Sequence, residues 1–90
     1  MSEVEAILEE RERTHGSFAA SAAIAQALKL VMSQAPKAAE LDHVKLQALD
    51  MIATKIARIV CGDSEHADAW IDIEGYAELV VRDLQARAQP

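Results

Sequence analysis

Apolar residues recur at helical spacing along nearly the whole chain, and no stretch alternates as a strand would. Ser2 stands three residues before Glu5, a capping-box start, and Val4, Ile7 and Leu8 follow on one face. This pattern predicts a first helix over residues 3–14. His15 and Gly16 break it, and Ser17 is placed to cap an alanine-rich second helix over 18–35. After Pro36 comes the one longer connection, and Asp42 can cap a third helix over 43–61. Its stripe is Leu46, Leu49, Ile52, Ala53, Ile56, Ile59 and Val60, and Gly62 ends it. A fourth helix over 65–86 carries Trp70, Ile73, Ala77, Val80, Val81 and Leu84 as its main apolar stripe. The expectation is an all-α fold: a compact four-helix bundle, one domain over residues 1–90, that forms oligomers.

Polar side chains that fall on the wrong face of a helical wheel mark where function would concentrate. Arg11 lies in line with Val4, Ile7 and Leu8 and is expected to point inward, with His15 one turn later. Lys55 and Arg58 share a face with Met51 beside the stripe of the third helix, as a semi-buried cationic pair or as stems snorkelling over the core edge. On the fourth helix Glu74, Glu78 and Arg82 form a solvent face, with Glu78 and Arg82 paired at i,i+4. Another face carries Glu65, Asp68, Asp72, Gly75, Tyr76 and Leu79. Trp70 and Ile73 are expected to anchor the core, while Gly75 in mid-helix costs about 1 kcal/mol relative to Ala, tolerable where something approaches the backbone closely.

Composition narrows the classes. An apolar share of 51% with 27% charged residues describes a folded domain, and a chain of 90 residues has only a thin core, which association would thicken. The net charge of −6 and the lack of a dense Lys/Arg cluster argue against a nucleic-acid polymer as partner. A single cysteine, Cys61, allows no internal disulfide and fits a reducing cytosol. No signal peptide or apolar run of about 20 residues is present, so the expected location is the cytoplasm, without a membrane partner.

Asp68 and Asp72, four apart on a helix, present two carboxylates side by side, a pattern that suits Mg²⁺, with Glu65 as a third candidate ligand. The rival reading pairs Asp68 and Asp72 with Arg11, Lys55 and Arg58 as architecture. His15, His43 and His66 are too scattered for zinc spacing, and neither a nucleophile arrangement nor a glycine-rich phosphate loop is present.

Three segments, ILEERERTHGSF, MIATKIARIVCGD and HADAWIDIEGYAELV, together resemble a family of small phage and prophage helical proteins. Its elements match Arg11, His15 and Gly16, then Lys55 and Arg58, then Asp68, Trp70, Asp72, Ile73, Gly75 and Tyr76. That family looks distantly similar to all-α nucleotide pyrophosphohydrolases of the MazG type, helical oligomers whose acidic faces hold Mg²⁺ against a nucleotide triphosphate. The acidic spacing differs here, since Glu9, Glu10 and Glu12 lie on outer faces and Asp68 and Asp72 are four apart.

The resemblance implies a phage-type protein of the bacterial host cytoplasm that binds a nucleotide phosphate. In an enzyme, Asp68, Asp72 and Glu65 would hold Mg²⁺ while Lys55 and Arg58 neutralise charge as water attacks phosphorus. In a non-enzymatic binder, Arg11, His15, Lys55 and Arg58 would hold a nucleotide signal, and Trp70 or Tyr76 would stack on its base, sequestering a host defence signal. In a third reading the polar network only locks an oligomeric interaction module whose interface is the second helix. No residue is singled out as catalytic.

Overall fold

The computed structural model describes residues 2–89. It is all-helical, in the order α1 (Glu3–His15), α2 (Phe18–Ser33), a short 3₁₀ turn (Ala38–Glu40), α3 (His43–Cys61) and α4 (Ala67–Ala88), with no strand among the described residues. The three expected caps are in place. The side-chain oxygens of Ser2, Ser17 and Asp42 accept the N–H groups of Glu5, Ala20 and Lys45, each satisfying a donor that the first helical turn leaves free.

Boundaries moved where local chemistry competes with the helix. α2 ends at Ser33 rather than 35, because a residue before proline is driven out of the helical region and Pro36 follows Ala35. α4 begins at Ala67 rather than 65, since Asp63 gathers the Glu65 N–H on its side chain and the His66 N–H on its carbonyl, which holds 63–66 as a turn. At the other end α4 runs on to Ala88, fastened by Arg87. That guanidinium donates to Asp83 within the helix and to Asp42 at the start of α3, where Lys45 also donates. Asp42 is held well below the usual carboxylate range, first by the Lys45 hydrogen bonds and then by Arg87.

α3 is the central helix, packed against α2 on one side and α4 on the other. What it buries is small: Ala48, Ala53, Ala57 and Ile59. Alanines at the contacts let helix axes come close, and the larger Leu46, Leu49, Ile56 and Val60 of the expected stripe sit at its exposed edges. α4 is rotated by about 90°, at 100° per residue, from the face its apolar stripe predicts. Ala69 is its buried residue, and Asp72, Tyr76, Val80 and Asp83 are half-buried in line with it. Trp70 is therefore no core anchor; it is 54% exposed and its Nε1 donates to the Ser64 carbonyl at 2.8 Å, closing the turn before α4. Gly75 has open space where a Cβ would stand, so the expected close approach to it does not come from within the chain.

The chain is elongated rather than compact. Its radius of gyration is 15.7 Å and its extents are 57 × 27 × 23 Å, against a radius of about 12 Å for a compact domain of this length. The reason lies in the α1–α2 junction, which bends by only 50°, so α1 projects beyond the other helices instead of folding back on them. No residue of α1 is buried. Among the described residues no single helix is long and apolar enough to cross a membrane.

Candidate functional site

Two helix junctions meet and build the site. Gly16, between α1 and α2, has φ of 77°, a left-handed conformation natural only to glycine. A Cβ there would fall 2.0 Å from the carbonyl oxygen of Cys61, and one on Gly62 would fall 2.3 Å from that of Thr14. The two glycines thus let the α1–α2 and α3–α4 junctions touch backbone to backbone. A hydrogen bond from the Asp63 N–H to the Thr14 carbonyl, 2.8 Å long, ties them together.

This contact sets His15, the last residue of α1, against His66, the cap of α4. Their rings meet edge to face with centroids 6.1 Å apart. His66 Nε2 lies 3.2 Å from Asp68 Oδ2 on its other side. His15 is half-buried, and burial first, then the positive charges of Arg58, His66, Lys55 and Arg11, push its imidazole below the ordinary range. Four cationic or basic groups from two helices, α1 and α3, and one turn therefore act on one ring. At neutral pH that ring stays uncharged, ready to gain a proton if an anion arrives.

A cavity of about 290 Å³ opens beside His15. Arg11, His15 and Arg58 line it together with Glu12, and Leu8 and Phe18 form an apolar side. Arg58 is half-buried, whereas Arg11 is exposed: it reaches the cavity from the surface and does not point into the core. Phe18 is 86% exposed, an aromatic face standing free. The first turn of α2 opens on the same space through Gly16, Phe18 and Ser21. A helix start presents unpaired N–H groups and a partial positive charge, which favours an anion.

Lys55 and Asp72 form a separate unit. Their 2.9 Å ion pair joins α3 to α4, with the lysine side chain only 12% exposed and the carboxylate 45%. Asp68 faces largely to water beside His66, and Glu65 is exposed in the turn. Among the described residues no three His, Cys, Asp or Glu side chains converge as a metal ion would require. Asp72 is engaged by Lys55, Asp68 lies beside His66 and Glu65 is exposed in the turn, so these three carboxylates do not converge on one point.

A family model described as a domain of unknown function, DUF6378, matches residues 1–83. The chain belongs to DUF6378. No curated protein and no solved structure matches it. The DUF6378 match takes in every residue of the cavity, both glycine junctions and the Lys55–Asp72 pair, and stops short of Arg87.

Of the residues singled out in this DUF6378 sequence, the fold brings Arg11, His15 and Arg58 into one cavity and Lys55 into electrostatic reach of it. Trp70 and Tyr76 are elsewhere. Trp70 closes its turn, and Tyr76 lines shallow depressions on the α3–α4 side, one with Asp72, Gly75 and Leu79 and one with His43 and Val44. Phe18 and Ser21 were missed. Phe18 looks like the first apolar residue of a helix, and Ser21, the one buried polar residue described, looks like another small spacer among alanines. Only the closeness of Phe18 in sequence to the His15–Gly16 element hinted at its place.

Proposed function

We propose that this DUF6378 protein binds the phosphate of a nucleotide in the cavity between the end of α1 and the start of α2. The observation that carries the reading is the convergence of Arg11, His15 and Arg58 on one cavity whose open side is an unpacked aromatic ring. Guanidinium groups suit phosphate because their forked donors match its oxygens, and charge-assisted hydrogen bonds are the stronger kind. Phe18 would stack on the base, the role the sequence assigned to Trp70 or Tyr76. At about 290 Å³ the cavity is at the small end of ligand pockets, roughly 300–1,000 Å³. It suits a phosphate group with the base laid over Phe18 rather than a fully enclosed nucleotide.

Binding without hydrolysis is the form this takes. Pyrophosphate hydrolysis of the MazG kind needs metal-holding carboxylates beside the phosphates, and the acidic residues of α4 are paired or turned to solvent. Glu12 is the one carboxylate lining the cavity. A protein that holds a nucleotide in a cationic cleft without turning it over would act by sequestering it, as a phage protein would sequester a defence signal of its bacterial host. Titration calorimetry with mononucleotides and cyclic nucleotides, followed by chromatography of the recovered ligand, tests this. Tight binding with intact ligand is expected; release of pyrophosphate or phosphate in the presence of Mg²⁺ would favour the enzyme.

A further inference from the structure

The outward side of α2 is built the wrong way round for a helix that faces water. Ala19, Ala23, Ala27 and Leu30 fall on one arc of the wheel at 100° per residue, and Ile24 and Val31 border it; all six are exposed. Leu30 is 60% and Val31 70% exposed. The one charged residue of α2, Lys29, is half-buried on the opposite side. An amphipathic surface helix carries its charges outward, and one that is apolar all round belongs in an interior.

The surface area says how much is missing. The chain exposes 6734 Å², whereas a compact monomer of 9.8 kDa exposes about 5,200 Å². The excess of about 1,500 Å², which the projecting α1 shares with the outer face of α2, leaves room for the area each protomer of a permanent homodimer buries, roughly 1,000–2,500 Å².

We propose that a second copy of this chain docks on the outer face of α2, the two α2 helices running antiparallel about a two-fold axis that passes between Ala23 and Ala27. Size argues for a copy rather than an unrelated partner. The face is small at its start, with Ala19 and Ala20, and large at its end, with Leu30 and Val31. Antiparallel pairing lays the large end of each helix over the small end of the other and sets Ala23 opposite the partner's Ala27, the self-complementary contact a two-fold interface demands. Charge argues the same way. Two chains of net charge −6 repel, and the acidic residues of α1, from Glu3 to Glu12, carry much of that charge; α2 has no acidic residue, so contact there meets the least repulsion. The dimer does not depend on nucleotide binding.

Sedimentation equilibrium of the full chain across a dilution series, without nucleotide, tests the interface. The expected mass is twice the 9.8 kDa of one chain. Ala27→Glu and, separately, Ala23→Glu are expected to give monomers with unchanged helical circular dichroism, because both sites are exposed in the single chain. Gln47→Glu, exposed on α3 away from this face, should leave the mass unchanged. A wild-type monomer at all concentrations would overturn the proposal, as would an Ala27→Glu variant that stays dimeric. So would a monomer that co-sediments with phosphatidylglycerol vesicles, since a lipid surface would then be the occupant.

Discussion

Gly16 and Gly62 lie back to back, each occupying space that a side chain on it would need from the other junction's backbone. One contact therefore fixes both where α1 leaves α2 and where His15 meets His66. Gly16→Ala carries a penalty of about 1–2 kcal/mol for the left-handed backbone alone, and the clash with Cys61 adds to it. Gly75 is the contrast, a mid-helix glycine with nothing near it. Urea unfolding should show Gly16→Ala destabilised by at least about 2 kcal/mol, within the range for overpacking, and Gly75→Ala stabilised by about 1 kcal/mol. A neutral Gly16→Ala would mean that the junctions can separate without loss of fold.

The Lys55–Asp72 pair is the structural half of the polar network. Its lysine is nearly covered and its carboxylate half open, so its worth falls between an exposed pair at up to about 1 kcal/mol and a buried one at about 3–5 kcal/mol on loss of a partner. Asp72→Asn should lower stability by about 1–2 kcal/mol. Calorimetry on the same variant should give unchanged nucleotide affinity, since Asp72 does not line the cavity. A large loss of affinity at constant stability would place Asp72 in the site after all.

How much of this was legible in the sequence differs by level. The three caps, the break at His15–Gly16 and the Glu78–Arg82 pair, with Nε to Oε1 at 3.1 Å, follow from local rules and stand in the structure. The rotation of α4 was not legible, because an apolar stripe states which face can be buried, whereas α3 offers alanines and the Lys55 ammonium and so draws Ala69 and Asp72 inward. The projection of α1 was equally hidden. Val4, Ile7 and Leu8 form an apolar stripe whether or not the chain supplies a partner for it, and all three are exposed. For the site, the wheel found Arg11 and Arg58 by their odd positions, while Phe18 sat where an apolar residue is ordinary.

His15 gives the fold and the ligand opposite pH dependences. Its folded-state pKa is depressed, by burial first and then by Arg58, His66, Lys55 and Arg11. The unfolded chain therefore binds the proton more readily, and the contribution of neutral His15 to stability is full above about pH 6.5, the free imidazole value, and is lost as pH falls through the depressed pKa. A bound anion beside the ring stabilises the imidazolium. A cyclic nucleotide, whose phosphodiester keeps its charge over this span, should bind more tightly at pH 6 than at pH 7.5. His15→Gln should flatten that dependence and remove part of the acid loss of stability seen in thermal melts. An unchanged pH profile in the variant would assign the titration to another group.

The most direct test of the anion site is calorimetric titration of one nucleotide into wild-type protein and into Arg58→Ala, Arg11→Ala and Phe18→Ala. Loss of a charge-assisted hydrogen bond is worth about 1.5–3 kcal/mol, so each arginine variant should bind at least about tenfold more weakly with little change in melting temperature, and Phe18→Ala should weaken binding of the nucleotide but not of inorganic phosphate. Wild-type affinity in both arginine variants would contradict the account.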